Sequence, residues 1–448
     1  MKQTLLSWIS AVALLLSPLP VYAFDNGPGW FGFGYTLNTS GARTIGMGGA
    51  AVASVNDASA TLSNPAALIR LSKTEFRFDS NFRHFDEINQ PGADNLGTGK
   101  SIRMGLQVNE SDQINPALMA LATPIGDGQS VIALFYHEFL PYNRSVTVTD
   151  PISGGVAEKH SVMFDLDEFG VSLAHSLFDG QLAIGLSASL VTPNMIIATH
   201  REKTPQPGSF DADEFSSYGS KSEQEPLWRF GLLYQPSETV AIGVNYTLTQ
   251  DPQYTMTTAN SPETVDSAQQ NGCVGDINIG TLPDGTPTGS WICNSSLLMP
   301  TSLSVGLAYM PNEVWNFAIE AIHVDYRRVT NEFVAPYAYP NGDVKVIQTK
   351  NDFQAKDVIE LHLGLEYNTR FISYPLALRA GYYLDPAHDI KYLGDDATSQ
   401  AIYPGGEDVQ HFTAGAGMMF KQAWKIGMAV DAADNNTHRL AISFAYQF

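Results

Sequence analysis

The chain has 448 residues, with 46 acidic against 25 basic side chains and a formal net charge of −21. That balance argues against nucleic-acid partners and against anionic-lipid binding through a basic face. A mean hydropathy of −0.09, with no long apolar run after the N-terminus, excludes a helical membrane protein. Two classes remain: an exported soluble protein, or a β-barrel that crosses a membrane with strands.

Lys2, the apolar run Leu5 to Leu16 and Val21-Tyr22-Ala23 read as a secretory signal peptide over 1–23. Pro18 and Pro20 oppose the alternative of an anchor helix. The next distinctive stretch runs from Ser40 to Leu71. It has no aromatic residue and no alternation, carries Gly41, Gly46, Gly48 and Gly49, and ends in Asn64-Pro65-Ala66 ahead of the first strand. A small-residue segment of this kind is a poor core element by itself and suits a narrow space.

From residue 71 onward the pattern has period two. Phe76, Phe78 and Phe82 alternate with Arg77, Asp79, Asn81 and Arg83. Trp228, Phe230, Leu232 and Tyr234 alternate with Arg229, Gly231 and Leu233. Similar runs occupy 240–249, 302–309 and 360–367. Side chains alternate faces along a strand, so each run has one greasy and one small or polar face. A soluble sandwich turns the greasy face inward, whereas a membrane barrel turns it to lipid.

Three features select the barrel. Aromatic residues (Tyr234, Tyr246, Tyr309, Trp315, Tyr367, Trp424) stand near strand ends, where interfacial girdles lie. The segments have the length that a tilted strand needs to span a bilayer. Connections alternate between short turns (126–129, 178–180, 235–238, 310–313, 368–373, 421–423) and longer polar loops (86–113, 150–161, 200–224, 257–298, 335–351, 387–407), with a short loop at 433–436. The count predicts fourteen strands in an all-β antiparallel transmembrane barrel over 71–448. The last strand, His438 to Phe448, alternates Leu440, Ile442, Phe444, Tyr446 and Phe448 with polar and small residues.

Cys273 and Cys293 share one polar loop and are expected to pair in an oxidising compartment. Closing that loop stabilises by about 3 kcal/mol on the chain-entropy view. The acid and histidine clusters, His137-Glu138 and Asp165, Asp167, Glu168, match no nucleophile motif, and the other histidines lack metal-ligand spacing. No enzyme activity, cofactor or metal is expected.

NDASATLSNPAALIRL (56–71), MPTSLSVGLAYMPNEVWNFAIEA (299–321) and VIELHLGLEYN with PLALRAGYYLDP (within 358–386), ahead of and within fourteen strands, resemble the FadL/TodX family of outer-membrane transporters for hydrophobic compounds. The resemblance implies a partly helical hatch over 24–70 that plugs the lumen. It implies passage of long-chain fatty acids or aromatic hydrocarbons, with sideways exit through the wall. Asn64, Pro65 and Ala66 match the family motif at the join of hatch and wall, as a gate or as a stiff guide for the chain. The family's outer groove would fall on the third and fourth outer loops, with Phe210, Phe215, Tyr218, Trp291, Ile292, Leu297 and Leu298 contacting ligand or packing the loops together. Pro141, in a third strand read as 130–149, marks either the wall kink or the strand's entry into its loop. The implied partners are a hydrophobic small molecule, outer-membrane lipid and lipopolysaccharide, and the barrel-assembly machinery through the strand ending in Phe448. A monomer in the bacterial outer membrane is expected. An open porin and a non-transporting partner in protein secretion are the alternatives.

Overall fold

The structure is a computed structural model that describes residues 40–85, 88–90, 105–108, 111–138, 142–150, 156–201, 215–222, 224–250, 253–261, 273–281, 287–296, 299–330, 335–338, 344–347, 353–394, 405–434 and 438–448. Fourteen strands form its wall: β1 (Glu75–Phe85), β2 (Ser111–Ile125), β3 (Ser130–Glu138), β4 (Val156–Leu177), β5 (Leu182–Arg201), β6 (Glu225–Ser237), β7 (Val240–Leu248), β8 (Ser302–Tyr309), β9 (Trp315–Val324), β10 (Val358–Phe371), β11 (Tyr374–Asp385), β12 (Val409–Phe420), β13 (Trp424–Ala433) and β14 (His438–Gln447). Each pairs antiparallel with its neighbours in chain order. β1 closes on β14, from Glu75 opposite Gln447 to His84 opposite His438. The predicted closed barrel of fourteen strands is what the chain forms.

Alternation sets the two faces. On β8, Leu303, Val305, Leu307 and Tyr309 face out, while Ser302, Ser304 and Ala308 are buried inside. Tight turns join the strands at one end. At 420–423 the amide of Ala423 donates to Phe420 O at 3.1 Å, with positive φ at Lys421 and Gln422. Two central residues of positive φ make the hairpin turn whose twist matches the flanking strands.

The outer ends of the strands depart from expectation. The region 150–161 was expected to be a loop, but Tyr142–Asp150 pairs with 156–164 of β4. The stretch 257–298, read as one polar loop, also carries strand pairs: Gln253–Ser261 and Cys273–Thr281 both pair with Pro287–Ser296. Phe215–Ser222 pairs with β5 and with Gln253–Ser261. These segments are rich in Thr and Ser, which tolerate a pleated sheet wet on both faces. Hydropathy alternation therefore gives no sign of them. The third strand, expected over 130–149, is strand at Ser130–Glu138 and Tyr142–Asp150, and 139–141 lie outside the described residues.

Inside the ring lies the segment from Ser40, with α1 (Gly41–Gly46), α2 (Ala60–Ser63) and a 3₁₀ turn (Pro65–Arg70). Every residue from 40 to 68 is buried except Asn56. Both helices are too short to stand alone. The wall supplies their packing.

Leu307 is 41% exposed on the outer face, whereas its neighbour Ala308 is fully buried. Leu307→Arg is expected to lower the stability of the lipid-inserted barrel by about 2–4 kcal/mol. Equilibrium unfolding from phospholipid vesicles measures this, and an unchanged midpoint would place β8 outside the bilayer.

Candidate functional site: a seated hatch beside an interrupted wall

Asn64 joins hatch to wall. Its side-chain amide donates to Val52 O at 2.7 Å within the hatch and to Leu232 O of β6 at 3.1 Å, while its Oδ1 caps the 3₁₀ turn by accepting from Ala66 N at 3.1 Å. Pro65 sits at the first position of that turn, where its missing N–H costs nothing. The turn lies against a pair of facing glycines, Gly231 on β6 and Gly185 on β5. A Cβ on Gly231 would stand 2.3 Å from Asn64 Oδ1, and one on Gly185 would stand 2.1 Å from Ala66 N. Gly364 and Gly381, also facing each other, admit Met47 and Gly48 in the same way.

Charged wall residues hold the rest of the segment. Arg43 grips Glu366 of β10 through Nε and Nη2, both at 3.2 Å, and Arg379 of β11 meets the same carboxylate at 2.7 Å. Glu320 Oε2 accepts from the amides of Ala51 and Val52 at 2.7 and 2.8 Å. Glu75 Oε1 accepts from Ala58 N at 2.9 Å, while Lys425 sits 2.8 Å from its other oxygen. Asp57 pairs with Arg77 at 2.9 Å. Burial alone would push the Asp57 carboxyl up, but Arg77, Arg43 and the Ser59 hydroxyl hold it well below the usual carboxylate range. Its hold on the wall is therefore present above the ordinary aspartate range and is lost as pH falls through the lowered value.

Among the described residues the ladder beside this segment is interrupted. The β2–β3 ladder runs from Ile125 opposite Ser130 to Leu118 opposite His137. Pairing between these two stretches of chain resumes only at Val108 opposite Val146. Among the described residues none between these points is laddered across. Side chains substitute: Asn115 Nδ2 reaches Glu138 O at 3.5 Å, and Ser80 Oγ donates to Asn115 O at 3.1 Å. Two register shifts flank the break. Pro116 and Ala117 together face Ser80, since Asp79 pairs with Leu118 and Asn81 with Asn115. Between Glu138 opposite Asp167 and Tyr142 opposite Phe164, the third strand has one residue more than β4. Ile114, 76% exposed, faces outward at the break. On the inner side Leu118 and Phe135 belong to the same apolar cluster as Leu68 and Leu71.

His137 and Glu138 point to opposite faces, as strand geometry requires. His137 faces Glu168 at 3.1 Å inside the barrel, and Glu168 is held by Arg229 and by Ser189 Oγ at 2.5 Å. Outside, Tyr136 donates to Asp167 at 2.6 Å and packs on Phe169. At the outer mouth His388 stacks on Tyr326, with ring centroids 4.0 Å apart, and lies 3.2 Å from Asp385. Burial pulls the His388 imidazole down, but Asp385, Asp389 and the Pro386 carbonyl outweigh it and push it up to about 9.

Of the residues singled out in the sequence, Asn64, Pro65 and Ala66 are placed together against β5 and β6. Residues 1–23, Pro141, Phe210, Leu297 and Leu298 lie outside the described residues. Phe215, Tyr218, Trp291, Ile292, Cys273 and Cys293 are described in backbone only, and the two cysteines stand opposite each other in register. The sequence reading missed the Pro116 bulge. A proline within a wall strand was its signal, because proline cannot donate to a ladder and marks edges or bulges.

A closed strand wall with an apolar exterior and an interior segment seated on glycines defines a plugged transmembrane barrel. A family model described as outer membrane protein transport protein (OMPP1/FadL/TodX) matches residues 32–441, and the chain belongs to that family. It is an outer-membrane protein. No curated protein matches it. Among solved structures it is similar to a Pseudomonas aeruginosa FadL homologue at 13% identity and a TM-score of 0.60, covering 93% of this chain and 100% of that one. It is also similar to the P. putida toluene transporter TodX, at 14% identity and a TM-score of 0.57, covering 92% and 99%. The Ralstonia pickettii toluene transporter TbuX, at 14% identity and a TM-score of 0.58, covers the same shares. At these identities the likeness concerns the fold.

Gly231→Val is expected to unseat the Asn64–Ala66 turn while the barrel still inserts. Hydrogen exchange at residues 60–70 should quicken, and sugar permeability of reconstituted vesicles should rise. Unchanged exchange would mean that the close approach is not tight. A second expectation concerns pH. The folded His388 value lies above the ordinary histidine value of 6.5. Its contribution at the mouth is therefore complete below about 6.5 and lost as pH rises through about 9. Protease nicking near 386–390 should increase over that window, and His388→Gln should remove the pH dependence.

Proposed function

We propose that this barrel carries hydrophobic small molecules across the outer membrane by diffusion, with the segment 24–70 as a plug and the exit sideways through the wall between β2 and β3. The observation that carries this reading is that, among the described residues, no ladder pair joins β2 and β3 beyond Leu118 opposite His137, next to a filled lumen. A greasy ligand that stays out of water gains about 0.8 kcal/mol per CH₂, so an exit into lipid suits it better than an aqueous pore. Unpaired backbone in a bilayer is costly unless it lines a cavity or pathway. Ligand would first meet the outer loops, where Phe210, Phe215, Tyr218, Trp291, Ile292, Leu297 and Leu298 are the apolar candidates. Pro141, outside the described residues and lying in sequence between Glu138 and Tyr142, is the candidate for the kink. Asn64, Pro65 and Ala66 fix the plug where it meets the wall.

The same reading includes removal of residues 1–23 on export, a Cys273–Cys293 disulfide supported by their facing register, and a monomer set in lipid and lipopolysaccharide. It also includes assembly through the strand that ends in Phe448. No chemical step is assigned to the chain.

Deleting Pro116 tests the exit. The deletion removes the extra residue opposite Ser80 and turns Ala117, buried in the intact chain, outward between Asn115 and Leu118, which restores the alternation. The deleted barrel should insert normally and lose uptake of a hydrocarbon probe such as toluene. Full uptake by the inserted variant would rule out exit at β2–β3. Strong swelling of vesicles in sugar solution with the intact protein would rule out the plug.

A further inference from the structure

The hatch stretch from Met47 to Ala53 carries no charged side chain and lies outside any helix or strand. The wall can therefore hold it only through its backbone. Two residues that are Cα partners in the β9–β10 ladder do so, Glu320 and His362, both buried. Glu320 serves the N–H side, accepting from Ala51 and Val52 at 2.7 and 2.8 Å. His362 serves the C=O side, with Nδ1 2.6 Å from Gly48 O. Gly49 makes room for the ring, since a Cβ there would stand 2.6 Å from Nδ1.

The second ring nitrogen also meets an oxygen. His362 Nε2 lies 3.1 Å from Glu360 Oε2. A backbone carbonyl and an ionised carboxylate are acceptors only, whereas a neutral imidazole has one N–H and one lone pair. In either tautomer the neutral ring would set its lone pair against an oxygen. The imidazolium satisfies both contacts. The surroundings agree with a positive ring. Glu360 lies beside it on β10 and Glu320 opposite on β9. On the β11 side the ring stacks on Tyr383, its Cα partner there, with centroids 5.0 Å apart. Tyr383 stacks in turn on His411 at 4.0 Å, and Asp431 accepts from both of them.

Losing the proton would not divide the loss evenly. A hydrogen bond to an ionised acceptor is roughly twice as strong as one to a neutral carbonyl. The single N–H that remains would therefore go to Glu360. The Nδ1 lone pair would then face Gly48 O, and the hatch contact would turn from attraction to repulsion. The other side-chain anchors behave differently. Arg43 on Glu366 and Arg77 on Asp57 keep their cationic charge throughout, whereas a histidine is the side chain whose charge changes.

We propose that His362 is a positioning residue for the hatch that works as an imidazolium, joining Gly48 to Glu360, and that loss of its proton loosens 48–52 while the barrel stays closed. Only its effect on passage rests on the plug reading above. The stretch that would loosen is the one lying against the facing glycines Gly364 and Gly381 at one end and Gly243 and Gly306 at the other.

The test uses the whole barrel with nitrogen-15 in its histidine rings, the His362 signals being those absent from His362→Phe. At pH 7 both His362 nitrogens should carry protons. As the pH is raised and the signals report loss of one proton, amide protection at 48–52 should fall about tenfold or more in step. His362→Phe keeps a ring to stack on Tyr383 and removes both donors, so its protection should be low at every pH. His362→Lys keeps donors for both oxygens, and its protection should stay high across the same range. A single ring N–H at pH 7, or protection in His362→Phe equal to that of wild type, would overturn the proposal. Swelling of vesicles in sugar solution tests the plug separately. Strong swelling with the intact barrel overturns the plug reading, and the ring signals and the protection still decide the role of His362.

Discussion

Within a bilayer every backbone N–H and C=O must find a partner inside the protein. The pairing of β1 with β14 meets that demand for the two strands that would otherwise be edges, and it brings residues from the two ends of the barrel sequence into contact. Most of the rest follows from closure. The apolar face is forced outward, the small and polar face inward, and the segment from Ser40 is enclosed by strands on all sides. Closure also gives the β2–β3 interruption its meaning. Among the described residues no ladder pair joins β2 and β3 beyond Leu118 opposite His137, and side chains serve backbone at that seam. Asn115 and Ser80 do so there.

The hatch is positioned by two kinds of contact with different consequences. Facing glycines let hatch backbone lie directly against wall backbone, which fixes distance but adds little attraction by itself. The charged contacts fix orientation. Buried ion pairs are weak contributors to net stability, because desolvation offsets much of their attraction. They are strongly directional, however, and Glu366 shared between Arg43 and Arg379 admits few other placements of α1. Carboxylates that accept from consecutive amides, as Glu320 does from Ala51 and Val52, do the same for a stretch with no secondary structure of its own.

Much of this fold was legible in the sequence, because a period-two pattern such as Phe76, Phe78 against Arg77, Asp79 depends only on neighbours along the chain. The short turns were legible for the same reason. The length of the outer strands was not, since Thr- and Ser-rich segments such as 253–261 pair without any apolar face to betray them. Nor was the seat of the Asn64 turn, because Leu232 lies far along the chain and its role comes from a backbone carbonyl that any residue carries. Arg83 was readable as a lumen charge. Arg439 was readable as a polar-face residue of the last strand, but its register opposite Arg83 was not, because only the closure of the ring sets it. Pro116 was readable, but the weight fell on Pro141, and the register of β1 against β2 was needed to see that both strands flanking the break carry an extra residue.

Whether passage requires the hatch to leave its seat can be weighed by magnitude. Withdrawing it would break the contacts of Arg43, Asp57, Ala51, Val52 and Ala58 with wall side chains, as well as the Asn64 bonds. Hydrogen bonds to charged groups contribute about 1.5–3 kcal/mol each. Several broken together would amount to a large fraction of the stability of an ordinary domain, roughly 5–15 kcal/mol. The proposed sideways path breaks none of these contacts, because among the described residues no ladder pair joins β2 and β3 beyond Leu118 opposite His137. A ligand moving outward from the apolar cluster of Leu68, Leu118 and Phe135 needs small rearrangements of Asn115 and its neighbours rather than release of the plug. The balance therefore favours a hatch that stays seated during transport and acts by denying the ligand any downward route.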